Sequence, residues 1–301
     1  MSNPHGLKLK ALLTNNKLPT PDKCRVGLAI SKYNDLIQQL KNLTNDDLLK
    51  NMVTLINAYK KHIDFELIFN STEDFLYRQN GQLKLSNSIL EEFIPYFIDS
   101  RLIPGIAHAI GIEQGSFASY AGLSFGGAIQ PLNSGGIYIK LKDQDFALAK
   151  KHTLNIFETA LPQNSYSKDF YVSYFAAEIK TNLDKTMFQE ASQTANDLKI
   201  AVSGSRYLLL CEYLDMTPIN TKLTAIDEVI ILRRAKRLSS NVRSEFSTYQ
   251  GRQNNREAYE NYLDQHPLSI HSFNRLIMHL RETFPENITG DVNEILNRGY
   301  F

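Results

Sequence analysis

The chain has 301 residues, of which 43% are hydrophobic and 22% charged, and its formal net charge is +1. This composition is typical of a soluble globular protein and excludes a largely disordered chain. The sequence has neither the run of about 18 apolar residues that a membrane-spanning helix requires nor the apolar stretch of a secretion signal near its start. We therefore expect a cytoplasmic protein, in which Cys24 and Cys211 are reduced, buried thiols and too few to form a zinc cluster.

Helical patterns dominate the first third of the chain. Residues 1–24 are polar and basic and contain three prolines, which predicts an irregular arm. Apolar spacing over residues 26–69 predicts helices. Residues 70–86 are polar and predict a turn at Asn80-Gly81, after which Ser88 is expected to cap a short helix. The first helix is expected to bury a face formed by Leu28, Tyr33, Leu36 and Leu40. The second helix is expected to begin at a capping residue, either Asn45 or Asp46.

The middle of the chain changes from helical to strand patterns. Residues 115–136 are rich in glycine and predict loops and short strands, but they contain no dinucleotide-binding or phosphate-binding glycine motif. Beyond them, strands are predicted at 137–142, 170–179, 207–213 and 229–232, with helices at 185–201 and 255–283. This order of elements predicts an α/β protein with a mixed sheet covered by helices.

A possible catalytic group lies at the end of the second of these strands. In Ala177-Glu178-Ile179-Lys180, side chains alternate between the two faces of a strand, so Glu178 and Lys180 share one face. Asp145 follows an earlier strand. Two carboxylates and an ammonium at one sheet edge suit phosphodiester hydrolysis, because Mg²⁺ prefers oxygen ligands and a lysine can stabilise developing negative charge. Asp145, Glu178 and the carbonyl of Ile179 are the predicted Mg²⁺ ligands, and a surface ion pair of Glu178 with Lys180 is the structural alternative.

Two basic segments are candidates for contact with DNA. Residues 1–32 carry six basic side chains against one acid, and residues 229–243 carry five basic side chains and no acid, a charge of +5 in each case. Phosphate groups attract such segments, although a solvated basic surface explains them equally well. The predicted DNA-binding residues are Arg233, Arg234, Lys236 and Arg237.

Several segments together resemble the PD-(D/E)xK restriction endonucleases, and within them the two-subunit enzymes of the BbvCI and Bpu-ten-one group. Their order and spacing carry the resemblance, which extends over at least residues 3–233. The segments are Asn3-Pro4-His5-Gly6, Ser88-Ile89-Leu90-Glu91-Glu92-Phe93, Lys142-Asp143-Gln144-Asp145-Phe146, Ala176-Ala177-Glu178-Ile179-Lys180-Thr181-Asn182-Leu183-Asp184-Lys185, Cys211-Glu212-Tyr213-Leu214-Asp215 and Ile226-Asp227-Glu228-Val229-Ile230-Ile231-Leu232-Arg233.

The resemblance implies both a fold and an activity. It implies a PD-(D/E)xK core with catalytic Asp145, Glu178 and Lys180, and a glutamate, Glu92, that assists the metal site. It also implies Mg²⁺-dependent cleavage of double-stranded DNA at a short site, a second, similar nuclease subunit and a cognate DNA methyltransferase as functional partner. The chain departs from the motif in one position, since Gln144 and not proline precedes the aspartate.

On this basis the chain divides into an N-terminal arm and helical region (1–85), a catalytic core (86–245) and a C-terminal helical extension (246–301). Some alternatives stay open: a homodimer in place of a heterodimer, a repair or mobile-element nuclease of the same fold, and a non-catalytic DNA-binding subunit. Glu212, within an apolar strand, is expected to form a structural ion pair. His271 and His279 have unsuitable spacing for a His-Asn-His nuclease.

Overall fold

A computed structural model describes residues 3–44, 46–131, 136–286 and 292–299. The predicted N-terminal arm is wrong, because helices α1 (Pro4–Leu13) and α2 (Thr20–Lys41) occupy this segment. Proline suits the first turn of a helix, and both helices begin with one there. Leu9, Leu12 and Val26 are buried and anchor the two helices in the core, whereas Leu28 is 53% exposed and lies off the predicted face.

The helical region continues with α3 (Leu48–Lys61), a π-helical segment (His62–Phe69), α4 (Phe75–Leu83) and α5 (Asn87–Phe93). The predicted turn at Asn80-Gly81 is wrong, since both residues lie inside α4. The predicted cap Ser88 lies inside α5, and its hydroxyl donates to the carbonyl of Leu85. Of the two caps considered for α3, Asn45 lies outside the described residues, and the helix begins after Asp47. Two 3-10 turns, Ile94–Phe97 and Pro104–His108, lead into the sheet.

The described residues form a seven-stranded mixed sheet. Its strands are β1 (Glu113–Gly115), β2 (Ala118–Phe125), β3 (Ile137–Asp143), β4 (Phe146–Phe157), β5 (Ser165–Leu183), β6 (Arg206–Leu214) and β7 (Glu228–Ile231). Helix α6 (Lys185–Ala201) connects β5 to β6. The strands and the helix predicted from residue 137 onward are confirmed, and β5 extends further than predicted. A mixed sheet flanked by helices confirms the α/β class.

Strand β5 is the centre of the sheet. It pairs antiparallel with β4 along one edge, and along the other edge it pairs parallel with β2 at one position and with β6 over Phe175–Leu183. Helix α6 provides the crossover that a parallel β5–β6 pair requires. Consequently β4 pairs with β5 up to Ala177 and β6 pairs with it from Phe175 onward, so within the described residues both edges of β5 are paired only at residues 175–177 and, through β2, at Tyr171.

Each face of the sheet is covered by helices. Phe175, Ala177 and Ile179 of β5 pack against the N-terminal helices and α10 (Ile270–Thr283) in the larger core cluster. Ala176, on the other face, packs with the apolar residues of α6 in a second cluster. The predicted helical segment at 255–283 is two helices, α9 (Arg256–Gln265) and α10, preceded by α7 (Ser240–Glu245) and α8 (Tyr249–Asn254) and followed by α11 (Val292–Arg298).

Three further findings concern single features. No helix in the described part of the chain is both long and apolar enough to cross a bilayer. Of the two cysteines, Cys211 is buried as expected, but Cys24 is exposed on α2. The larger core cluster includes residues from Leu9 to Phe284, so the three predicted domain segments share one core, and their boundaries stay a prediction.

A buried charge network joins the helical region to the sheet. Lys60 Nζ lies 2.9 Å from Asp64 Oδ2 and 3.0 Å from Glu212 Oε1. Arg233 Nε lies 2.6 Å from the same Glu212 oxygen, while its terminal nitrogens contact Asp64 Oδ2 and the carbonyl of His266. All four side chains are at most 8% exposed. The predicted structural ion pair of Glu212 is therefore confirmed, and burial makes its partners essential.

We expect Arg233→Ala to destabilise the fold strongly, since it leaves buried carboxylates without their guanidinium partner. The expected loss is about 3–5 kcal/mol of unfolding free energy, measured by urea denaturation. Arg234→Ala is the matched control, because Arg234 is the exposed neighbour and should change stability by less than about 0.5 kcal/mol. Equal effects of the two substitutions would contradict a structural role for the network.

Candidate active site

Strand register places Asp145 beside Glu178. Phe146 of β4 pairs with Ala177 of the antiparallel strand β5, so the preceding residue on β4 lies opposite the following residue on β5. Residues opposite each other in a sheet project from the same face, and Lys180 follows Glu178 at the strand period of two. The structure thus brings Asp145 close to Glu178 and Lys180, which share the sheet face that carries α6.

The carboxylate of Glu178 has a partner at each oxygen. Lys180 Nζ lies 2.7 Å from Oε1, and the Tyr207 hydroxyl of β6 donates to Oε2 at 2.8 Å. Burial, followed by the nearby charge of Glu178, raises the pKa of Tyr207 far above its usual value, so this phenol stays a donor. The Glu178 and Lys180 side chains are 19% and 31% exposed, which leaves both accessible to a ligand. Nothing in the sequence pattern pointed to Tyr207.

Asp145 is held by the backbone of β5. Its Oδ2 accepts a hydrogen bond from the amide of Ile179 at 2.8 Å. Burial raises the pKa of Asp145; the Ile179 amide and Lys180 oppose the shift, and the charges of Glu91 and Glu178 add to it. Three carboxylates close enough to affect one another create a negative potential that a cation would relieve.

Lys180 is protonated at neutral pH in this arrangement. Burial alone would lower its pKa, but the hydrogen bond to Glu178 and the charges of Glu178, Asp145 and Glu190 raise it above its usual value. An ammonium ion can donate hydrogen bonds and stabilise negative charge, whereas it cannot accept a proton. Lys180 is therefore suited to charge stabilisation and to orienting a water molecule.

Helix α5 directs Glu91, and not Glu92, towards this group. Asn87 and Glu91 are one helical turn apart, they are hydrogen-bonded at 2.7 Å, and both line the cleft that contains Asp145 and Lys180. Lys8 of α1 forms an ion pair of 3.4 Å with Glu91. The phase of the helix therefore places Glu91, for which no role was predicted from the sequence, next to the predicted catalytic residues.

Glu92 lies on the opposite side of α5 and is 3% exposed. Its carboxylate accepts hydrogen bonds from the backbone amides of His5 and Gly6, at the start of α1, and from the Tyr33 hydroxyl. These three donors account for both carboxylate oxygens. The position of Glu92 thus differs from the one predicted from the sequence. The Glu92 side chain connects α1 and α2 to α5 and lies away from the cleft. Consecutive side chains on a helix are rotated by about 100°, so Glu92 points in a different direction from Glu91.

His5 completes this contact between α1 and α5. Ser88 Oγ lies 2.9 Å from His5 Nδ1 and already donates to the carbonyl of Leu85, so Nδ1 carries the proton and Ser88 accepts it. His5 Nε2 then accepts from the Tyr59 hydroxyl at 2.7 Å. Burial, the largest cause, and the charge of Lys60 lower the pKa of His5 to about 3, so the ring is neutral.

The four predicted DNA-binding residues have different surroundings. Arg233 is 4% exposed within the buried charge network, which removes it from the predicted set, because contact with a phosphate would break its ion pairs. Arg234 and Lys236 are exposed, and Arg234 has a left-handed backbone conformation with φ of 51°. Arg237 lines the same cleft as Asp145, together with Arg243, which the sequence analysis did not single out.

The cleft has a volume of about 610 Å³ and is bordered by α4, α5, β5, β6 and the C-terminal helices. Asp145 and Lys180 are among its lining residues, whereas Glu178 is not. Several tyrosine side chains also line it. Acidic residues and arginines in one cleft are compatible with a metal-assisted reaction on a substrate that carries phosphate groups.

The donor set fits Mg²⁺. Within the described residues, no three His, Cys, Asp or Glu side chains are arranged as a complete metal site. Mg²⁺ does not need one, since it retains several waters and commonly uses one or two carboxylates. The Asp145 oxygen that Ile179 does not contact has no other hydrogen-bond donor in the described part of the chain, and it remains available to a cation.

We expect Asp145→Asn to raise the unfolding free energy at pH 8. The raised pKa means that the folded protein holds this charge at a cost, which is fully present above the folded pKa and disappears below the unfolded value of 3.8. Asparagine keeps an oxygen for the Ile179 amide but carries no charge. Urea titrations at decreasing pH should therefore show the gain diminish. Asp143→Asn, at an exposed position two residues away, is the control, and a gain from Asp145→Asn that is independent of pH would contradict the assignment.

Comparisons with known proteins concern the family and the fold of the chain. A search of curated proteins found no match. A solved structure described as the native BbvCI A2B2 tetramer at low resolution superposes with a TM-score of 0.56 and 19% identity, covering 84% of this chain and 94% of that chain. This likeness shows that the two chains share a fold. The family model described as Bpu10I restriction endonuclease matches residues 82–301. The chain therefore belongs to the Bpu10I restriction endonuclease family, and it is a DNA endonuclease.

Proposed function

We propose that this chain is a subunit of a Mg²⁺-dependent type II restriction endonuclease that hydrolyses double-stranded DNA at a short specific site. The observation that carries the proposal is the proximity of Asp145, immediately before β4, to Glu178 and Lys180 of β5. Family membership supports the endonuclease activity, while the metal and the specific site are the proposed additions.

Asp145, Glu178 and the carbonyl of Ile179 are the proposed Mg²⁺ ligands. A bound Mg²⁺ supplies Lewis acidity at the scissile phosphate and lowers the pKa of a coordinated water. A bound dication would stabilise the Asp145 carboxylate against the burial that raises its pKa and against the repulsion from Glu91 and Glu178 that adds to the shift. The hydrogen bond from the Ile179 amide fixes one oxygen of Asp145, so the carboxylate is oriented before the metal binds.

Lys180 is proposed to orient the attacking water and to stabilise the additional negative charge of the transition state. Its contact with Glu178 keeps the ammonium in place and protonated. Water attacks phosphorus and the bond to the 3′ oxygen breaks, which leaves a 5′-phosphate and a 3′-hydroxyl. The hydroxyl of Tyr207 donates to the far oxygen of Glu178 and so holds that carboxylate in position throughout.

Glu91 replaces Glu92 as the proposed acidic residue that assists the metal site from α5. Its charge contributes to the raised pKa of Asp145, and its side chain is 18% exposed in the cleft. Asn87 and Lys8 hold its carboxylate. Glu91 therefore adds negative potential close to the proposed ligands.

The phosphate contacts are proposed for exposed or cleft-lining basic residues. Arg237 is half-buried at the cleft wall and forms a loose ion pair of 3.4 Å with Asp215, which a phosphate can replace. Arg234 and Lys236 are exposed and available. This set retains three of the four residues expected from sequence and adds Arg243.

We expect Lys180→Met to abolish cleavage while DNA binding remains. The substitution removes the ammonium but keeps the aliphatic length, and loss of one such charge stabiliser reduces turnover by about 10²–10³-fold or more. The assay is digestion of a large DNA of known sequence in Mg²⁺ and in EDTA, with gel-shift binding in parallel.

Lys140→Met is the matched control, because Lys140 is another strand lysine with a carboxylate partner, at 2.8 Å from Asp197, away from the group formed by Asp145 and Glu178. It should cut at the wild-type rate. Normal cleavage by Lys180→Met would disprove the catalytic assignment, and a wild type that cuts equally in EDTA would disprove the metal dependence.

The partner of this chain is proposed to be a second, similar nuclease subunit. The structural neighbour is described as an A2B2 tetramer, an assembly of two kinds of subunit. One set of Asp145, Glu178 and Lys180 per chain suits hydrolysis of one strand, so cleavage of both strands needs two active sites. A DNA methyltransferase that protects the same site is the proposed functional partner.

The chain alone should convert supercoiled plasmid to the nicked circle and form little linear DNA, because one kind of active site acts on one strand of an asymmetric site. Agarose electrophoresis over time measures this outcome. Direct formation of linear DNA by the isolated chain would favour the homodimer, and preferential cutting of branched DNA over plasmid would favour the repair nuclease.

A further inference from the structure

The cleft extends beyond the proposed catalytic residues into a second region that the hydrolytic reaction does not use. This region, the tyrosine pocket, is lined by Tyr77, Tyr213, Phe246, Tyr259 and Tyr262. The four tyrosines are half-buried rather than sealed in the core. It shares one continuous cleft with Asp145 and Lys180, so a ligand held at the catalytic end can reach it.

The aromatic rings of the tyrosine pocket form a stack. Tyr262 lies 6.1 Å from Tyr213 and 6.5 Å from Tyr259, with interplanar angles of 22° and 14°. Phe69 extends the stack behind Tyr259, with centroids 4.4 Å apart. Nearly parallel rings present flat faces of similar orientation, and such a surface favours a planar aromatic ligand.

The polar groups of the pocket include two acceptors without donors. Glu212 is 1% exposed, and both Lys60 and Arg233 contact its Oε1. In the described part of the chain its Oε2 has no hydrogen-bond partner, and neither does Oδ1 of Asn80 on α4. Both residues line the cleft. A buried acceptor without a donor is costly, so the pocket favours a ligand that brings N–H groups.

The charge balance excludes a second metal ion as the favoured ligand here. The two carboxylates of Asp64 and Glu212 are already matched by the cations Lys60 and Arg233, which gives a formal sum of zero. A neutral donor satisfies the free oxygen of Glu212 without adding uncompensated charge. The flat rings and the neutral, acceptor-rich floor together indicate an aromatic ligand with N–H donors.

Cations line the same cleft around the tyrosine pocket. Lys84, Arg237 and Arg243 are among its lining residues. Lys84 is exposed, and the Asp215 partner of Arg237 is 39% exposed at 3.4 Å, so both cations can pair with a ligand phosphate. A flat ring, donors on its edge and an attached phosphate are the three features of a nucleotide.

We propose that the tyrosine pocket binds a single unstacked base of the DNA, with guanine preferred, next to the site of cleavage. Guanine offers the imino N–H and the amino group on one edge, whereas thymine offers one N–H. The inference rests on the proposed function only in taking DNA as the ligand. Unstacking a base costs a few kcal/mol, which stacking on the tyrosines and the two acceptors would offset.

Binding of free nucleotides tests the pocket without cleavage. Saturation-transfer NMR with the whole chain, in EDTA, compares dGMP, dTMP and inorganic phosphate as probes. We expect dGMP to bind about tenfold more tightly than dTMP, since the pocket has two unmatched acceptors and each hydrogen bond changes affinity by about two- to tenfold. Inorganic phosphate should compete only weakly.

Asn80→Leu removes one acceptor at nearly constant size and should weaken dGMP about fivefold with little change for dTMP. Because Asn80 Oδ1 has no partner among the described residues, the fold should tolerate this change, which urea denaturation verifies. Asn196→Leu, at an exposed position on α6, is the matched control and should leave binding unchanged. Arg237→Gln should weaken both nucleotides equally.

The remaining outcomes distinguish a failure of the base pocket from a failure of the proposed catalytic residues. Equal binding of dGMP, dTMP and phosphate, or no effect of Asn80→Leu on dGMP, would overturn the base pocket and leave the nuclease assignment untouched. Lys180→Met should bind dGMP as the wild type does. If Lys180→Met cuts normally while dGMP binding behaves as expected, the catalytic assignment fails and the base pocket stands.

Discussion

The buried charge network of Lys60, Asp64, Glu212 and Arg233 is the interaction on which the rest of the arrangement depends. Each member comes from a different part of the fold: α3, the π-helical segment, β6 and the turn after β7. In a low-dielectric interior these charges are tolerated only together, so the network fixes how the N-terminal helices lie against the sheet. Strand β6 is the parallel neighbour of β5, with Glu178 paired to Leu209 and Lys180 to Cys211. The network that holds β6 therefore also sets the position of the proposed catalytic strand.

The alternation of side chains along β5 places the residues that stabilise the core on one face of the strand and the proposed catalytic residues on the other. Phe175, Ala177 and Ile179 face the larger core and are nearly inaccessible, while Glu178 and Lys180 face the other side near the end of the strand. A charged pair at this position does not interrupt the core, because Ile179 between them still packs on the opposite face. The Ile179 amide meanwhile binds Asp145, so one residue contributes its side chain to the core and its backbone to the site. Pairing with β6 and the hydrogen bond from the Ile179 amide to Asp145 restrain this end of β5, and this restraint supplies the rigidity that a catalytic group needs.

The parts of this structure that the sequence could predict are those that local periodicity determines. Glu178 and Lys180 share a face because the strand period is two, and the apolar run of β6 could form only a buried strand or a short buried helix. The sequence could not predict the phase of α5, which decides between Glu91 and Glu92, because the helix has only 7 residues and so shows too little periodicity to separate two adjacent glutamates. Arg233 could not be predicted as buried for a different reason. A run of basic residues is typical of an exposed surface, and only the folded positions of Glu212 and Asp64 show that Arg233 is buried. For α1, prolines suggested irregular structure, whereas their position in the first turn favours a helix.

The phase of α5 also gives the N-terminal basic segment a function distinct from phosphate binding. One side of the helix, with Ser88 and Glu92, receives the start of α1 through His5 and Gly6. The other side, with Asn87 and Glu91, faces the cleft, and Lys8 reaches Glu91 from the next turn of α1. Backbone amides at a helix start carry partial positive charge, so the buried Glu92 carboxylate is compensated without a cation. The N-terminal amides of helix α1 thus donate hydrogen bonds to Glu92, and Lys8 of the same helix restrains Glu91. The orientation of Glu91 towards Asp145 therefore depends on the packing of α1 against α5.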